Sequence, residues 1–180
     1  MRIDPKKTLL AGLFLTLSAA TSGGYADSNR GSGFWKPFEP SVDGQEDIVI
    51  SLSSDPTVDA EPACVALQIG MNLLMDDLNG ATDGGKVTPA DRVVLFVTLD
   101  GVYLVAPDSN LSEQKCLTSG GLKPLSGILS QFVTNGGEVV VCPLCWAGRG
   151  YTGSSPTYGS VANAADIHSL FLYADKVIPF

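Results

Sequence analysis

Cys142 and Cys145 close the run Glu138-Val139-Val140-Val141-Cys142-Pro143-Leu144-Cys145, and Arg149 follows between Gly148 and Gly150. A thiolate is both a nucleophile and a metal ligand, and its reactivity depends on what stabilises its negative charge. Backbone N–H groups of a turn could do that for Cys142, and Arg149 is close enough in sequence to add a positive charge. The Cys-x-x-Cys spacing also lets one sulfur attack the other, as in thiol–disulfide exchange. The thiols follow a short β-branched run, and ligands in open α/β sheets gather beyond the carboxyl ends of strands. Cys142, Cys145 and Arg149 are therefore the candidate site.

The elements that must position them alternate along the chain. Ile48 to Leu52 reads as a strand, and Glu61-Pro62 opens a helix on which Cys64, Leu67, Met71, Leu74 and Leu78 recur at helical spacing. Asn79-Gly80 and Asp83-Gly84-Gly85 end that helix. Arg92 to Val97 is an apolar strand; 99–106 reads as its extension or as a helical turn. Residues 107–121 form a polar insertion holding Cys116. A second helix starts at Pro124, with Leu125, Ile128, Leu129, Phe132 and Val133 on one face, and stops at Asn135-Gly136-Gly137. After the strand Glu138 to Val141 comes a Gly/Ser/Thr/Tyr-rich loop, 148–159. A third helix over Ser160–Ala174 and a last strand, Lys176 to Ile178, complete the order. Continuous apolar strands separated by helices imply a parallel sheet covered on both faces, a three-layer α/β domain.

The first 26 residues combine Arg2, Lys6 and Lys7 with an apolar stretch from Thr8 to Ala20 and small residues at Gly24 and Ala26. This is the pattern of a secretory signal peptide, too short for a comfortable membrane span. The expected destination is the periplasm or the exterior, with no membrane insertion after cleavage. Residues 27–46 are polar and Gly/Pro-rich and read as a flexible arm carrying Phe34, Trp35 and Phe38, leaving 47–180 as the domain. The full chain has a net charge of −8; without its leader it keeps 8 basic and 18 acidic residues, a net charge of −10. Such acidity disfavours nucleic acid and anionic membranes as partners.

The series Gly136-Gly137-Glu138-Val139-Val140-Val141-Cys142, then Cys145, Arg149-Gly150-Tyr151 and the terminal Ala174-Asp175-Lys176-Val177-Ile178-Pro179-Phe180, resembles the DsrE/DsrF-like family of sulfur-handling proteins. Leu95 to Val102 (LFVTLDGV) is similar to the family's second-strand segment. The resemblance spans about Asp47 to Phe180. It implies a flavodoxin-like parallel sheet, assembly as a homotrimer or hexamer, and a persulfide carried on a cysteine eight residues before the glycine of Arg-Gly. Counting back from Gly150 gives Cys142. A sulfur donor or acceptor protein would be the partner.

Three functional readings stay open at this point. In one, the protein is a sulfurtransferase-type sulfur carrier with a persulfide on Cys142. In another it is a thiol–disulfide oxidoreductase in which Cys142 attacks and Cys145 resolves. In the third it is an oligomeric binding module whose cysteines are structural. A thioredoxin-like fold is not expected, because the thiols follow the penultimate strand and a loop separates them from the next helix. No cofactor or metal is expected. Cys64, Cys116 and His168 form no second paired motif for zinc, and Gly148, Gly150 and Gly153 lack the phosphate-loop lysine and dinucleotide spacing. Cys64 falls on a helix's apolar stripe as a packing residue, Cys116 is a disulfide candidate, and His168 a packed or surface histidine. Asp55, Asp100 and Asp108 follow strand-like segments and could line the same rim. Trp35, Phe38, Tyr103, Trp146, Tyr151 and Tyr158 supply aromatic area for subunit contacts, with Trp146 and Tyr151 expected at or near one.

Overall fold

The computed structural model describes residues 46–75 and 90–180; the leader, the arm and the segment around Leu78 and Asn79 to Gly85 lie outside the described residues. Its strands are β1 (Asp47–Leu52), β2 (Arg92–Val97), β3 (Lys115–Thr118), β4 (Gly121–Pro124), β5 (Glu138–Val141), β6 (Ser160–Val161) and β7 (Lys176–Pro179). The helices are α1 (Glu61–Leu74), α2 (Leu125–Thr134), α3 (Pro143–Gly148) and α4 (Ala164–Tyr173), with a 3-10 turn at Leu99–Leu104. Five strands form one parallel sheet in the order β6-β5-β2-β1-β7, and β3 and β4 form a separate antiparallel hairpin.

The layering follows from chirality. Parallel crossovers are right-handed, so steps in one direction across the sheet put their helices on one face. The chain steps from β1 to β2 to β5, and α1 and α2 pack together on Ile50, Leu52, Val93, Leu95, Val97, Val139 and Val141. It then returns from β6 to β7, and Leu170 of α4 packs with Val49, Val94, Phe96 and Val140 on the opposite face. The alternation of one strand's side chains between two apolar layers explains why these strands are apolar throughout. Three layers, a parallel sheet and helices on both faces make the domain flavodoxin-like.

Four local features depart from the sequence reading. The insertion is not irregular throughout: its second half makes the β3–β4 hairpin, so Pro124 ends a strand and α2 starts one residue later. A short helix, α3, begins directly after Cys142 where a loop is expected, proline occupying its first turn. The third helix starts at Ala164, not Ser160, because a reciprocal capping box between Asn163 and Asp166 (2.9 and 3.0 Å) fixes its first turn. Ser160 and Val161 instead pair with Val140 and Val141 as an edge strand. Gly159 permits that pairing: its φ is +77° and a side chain there would collide with the Val139 carbonyl.

Cys64 and Cys116 form a disulfide that ties the hairpin to α1, with a sequence separation of 52 residues. Cys64 is thus more than a packing residue, and both cysteines are buried, at 5% and 1% exposure. Closing a loop of that size removes chain entropy worth about 4 kcal/mol from the unfolded state. A Cys64→Ala, Cys116→Ala double variant should therefore lose about 2–4 kcal/mol in urea denaturation. An unchanged midpoint would mean that packing alone holds the hairpin.

Candidate functional site

Parallel register places the two thiols. Val97 lies opposite Val141, and the ladder runs one residue further as the Cys142 N–H donates to the Val97 carbonyl (2.9 Å). Thr98, just past Val97, is thereby set beside the start of α3. Cys142 caps α3 and Cys145 sits one turn in, on the same side of that turn. Both are half-buried free thiols.

Sequence reasoning missed two of the groups that surround Cys145, Thr98 and Leu99. The Thr98 Oγ1 lies 3.4 Å from the Cys145 sulfur. Leu99 adopts φ +47°, the left-handed region, which costs a non-glycine residue about 1–2 kcal/mol. Its side chain is 56% exposed, so packing does not explain the strain. The Leu99 backbone N–H lies beside the Cys145 sulfur and favours its thiolate. Gly101 seats the turn, its N–H donating to the carbonyls of Thr98 (2.9 Å) and Ser53 (3.2 Å); a methyl group there would collide with the Leu52 carbonyl.

Arg149 reaches the thiols through Cys145. One of its terminal N–H groups donates to the Cys145 carbonyl (3.1 Å), while Nε donates to Asp100 Oδ1 at 2.9 Å and the other terminal nitrogen also pairs with that oxygen. Its guanidinium lies 5.8 Å from the centre of the Tyr103 ring, and Tyr103 meets Tyr151 edge-on. Trp146 stacks at 4.6 Å on Tyr151 and donates to the Ser154 carbonyl (3.2 Å), pinning the loop after α3. The Tyr151 hydroxyl donates to Asp108 Oδ1 at 2.6 Å; burial and that carboxylate push its pKa up to about 12. Asp100 and Asp108 thus join the thiol rim through Arg149 and Tyr151. Asp55 instead holds the loop after β1, accepting from Thr57 N and Oγ1. His168 is exposed on α4.

These surroundings split the thiols. Burial pushes the Cys142 pKa up, and the interaction with the Cys145 side chain adds to the rise. Burial also raises Cys145, but the Cys142 side chain, the Thr98 hydroxyl, the Leu99 N–H and the charge of Arg149 outweigh it and lower its pKa below the ordinary cysteine value. The more readily ionised sulfur of the pair is therefore Cys145, and Cys142 is the one harder to ionise. Open grooves of about 650 and 720 Å³ run along α1 and the hairpin, lined by Val65, Gln68, Leu117 and Lys123 but by neither free thiol. The thiols instead occupy the rim at the carboxyl end of the sheet. No group of three or more metal-ligating side chains occurs among the described residues.

No protein-family model matches the sequence, and no curated protein matches it. Among solved structures, YchN from E. coli aligns with a TM-score of 0.53 at 20% identity, covering 76% of this chain and all of that one. The fold is YchN-like. That likeness concerns the path of the backbone; the Cys145 cradle is read from this chain's own residues.

Trp146 is 3% exposed and belongs to its own chain's core, so its ring has little area left for a neighbour. Tyr103, Tyr151 and Tyr158 are half-buried, and Trp35 and Phe38 lie outside the described residues.

The pKa split has a direct readout. Iodoacetamide at neutral pH should label Cys145 faster than Cys142, with a rate-against-pH midpoint below that of a free cysteine. Thr98→Val removes one stabiliser of the thiolate and should move that midpoint up, slowing neutral-pH labelling severalfold. Peptide mass mapping of the labelled protein measures both; equal labelling of the two sulfurs would contradict the assignment.

Proposed function

We propose that this chain is an exported DsrE-like sulfur carrier whose Cys142/Cys145 pair accepts sulfane sulfur as a cysteine persulfide. The observation that carries the reading is a pair of neighbouring free thiols on the rim of a YchN-like sheet, one of them beside groups that favour its thiolate. In the uptake step a thiolate attacks the terminal sulfur of a donor persulfide, R–S–SH, and the donor leaves as R–SH. The family-like spacing counts to Cys142 as the loaded residue, whereas the electrostatics favour Cys145 as the sulfur that attacks first. The low-pKa thiol is the better nucleophile near neutral pH, because a larger fraction of it is ionised.

Mass spectrometry after exposure to a small persulfide donor tests this. Cys145→Ser should lose most sulfur uptake, and Cys142→Ser should retain it. The reverse pattern would return the carrier role to Cys142. Uptake by the double variant equal to that of Cys142→Ser would end the proposal.

Export and assembly belong to the same reading. The Cys64–Cys116 disulfide supports an oxidising compartment, since such bridges are rare in reducing cytosol. N-terminal sequencing of protein recovered from cells should begin at Asp27. We further propose a homotrimer or hexamer, which light scattering of the processed protein would test; a monomer mass at micromolar concentration would refute it.

A second reading, thiol–disulfide exchange, is favoured by the contact and opposed pKa shifts of the two thiols. It requires a reversible Cys142–Cys145 bond with the potential of a catalytic disulfide.

A further inference from the structure

We propose that the rim pair does more than hold sulfane sulfur: it reduces it, releasing hydrogen sulfide and closing a Cys142–Cys145 disulfide. The inference rests on the persulfide reading above. Its warrant is the presence of a second thiol where a passive carrier needs only one. A persulfide is stable only while no other thiol can reach it. Here Cys142 lies on the same helical turn as Cys145, and the two side chains interact directly.

The chemistry balances in two steps. The Cys145 thiolate first attacks the sulfane sulfur of R–S–SH; a proton passes to the leaving thiolate, and R–SH departs from Cys145–S–SH. The Cys142 sulfur then attacks the Cys145 sulfur that is bonded to carbon. The Cys142–Cys145 bond forms, the bond to the outer sulfur breaks, and that atom leaves with the Cys142 proton as H₂S. The sulfane sulfur gains two electrons, and the two thiols supply them. Attack on the outer sulfur would merely pass the persulfide from one cysteine to the other and back. Only attack on the inner sulfur expels a small stable product and drains the pair. Resetting the disulfide requires an external dithiol reductant.

The rest of the site suits this division. Thr98, Leu99 and Arg149 converge on Cys145, which must be ionised to start the reaction. Cys142 is held by its backbone on the end of β2, one helical turn from Cys145, so its sulfur stays beside the persulfide it must attack. The other two cysteines are already paired and buried, so they cannot divert the persulfide.

The test uses the full processed protein with reduced rim thiols and its Cys64–Cys116 bond intact. One equivalent of sulfane sulfur is supplied as a small organic persulfide, R–S–SH, whose loading step releases R–SH and no sulfide, and the sulfide released and the mass of the maleimide-blocked protein are followed. Wild type should release about one equivalent of sulfide per chain and lose both rim thiols to a disulfide, without stored sulfur. Cys142→Ser should keep one added sulfur atom on Cys145 and release sulfide only at background. Cys142→Ala, with the same expectation, guards against a folding defect peculiar to serine. If wild type stores the sulfur as the variants do and releases none, reduction is overturned while carriage stands. If neither wild type nor the variants gain sulfur or release sulfide, carriage falls and this inference with it. Sulfide release without the rim disulfide would also overturn it.

Discussion

The register between β2 and β5 is the constraint on which the rest of the site depends. At the amino end, Arg92 makes a two-pronged ion pair with Glu138, both contacts at 3.0 Å, and at the carboxyl end Val97 faces Val141. Between them, buried side chains alternate between two apolar layers, so a slip of one residue would turn every one of them to the wrong face. The same register sets Thr98 against the start of α3. The separation of Thr98 from Cys145, 47 residues along the chain, is thus converted into a contact by strand pairing alone.

Two kinds of polar anchoring then act on opposite sides of the thiols. On one side, the strained 3-10 turn is held down by Gly101, whose missing side chain lets the backbone meet the end of β1. On the other, Trp146, Tyr151 and Asp108 fasten the loop that follows Arg149, which reaches the Cys145 carbonyl from the end of α3. Strain at Leu99 persists because both flanks determine the turn's position.

Much of this architecture was legible in the residues. The apolar runs at Ile48–Leu52, Arg92–Val97 and Glu138–Val141 marked buried parallel strands, and the thiols at a strand end marked the rim. Which sulfur ionises more readily was not legible, because Thr98 and Leu99 approach Cys145 from another strand's end and carry no local pattern. Arg149 was singled out by its nearness in sequence; its contact with Cys145 depends on the short helix α3, which is too brief to leave a periodic signal. The two-residue β6 is equally invisible to pattern, since it exists only by pairing with β5. The Cys64–Cys116 bridge could not be chosen among the three pairings of four cysteines until the hairpin folded back onto α1.

That bridge separates the four cysteines of this molecule into two populations. A thiol reagent or reductant diffusing to the rim meets Cys142 and Cys145, while Cys64 and Cys116 are screened by the helix and hairpin they join. Exchange proceeds by in-line approach of a thiolate to a sulfur, so steric screening lowers the rate at the buried bond whatever its potential. The scaffold is in this sense kinetically insulated from chemistry at its own rim. Repeated oxidation and reduction there can leave the mechanical linkage of hairpin to helix untouched.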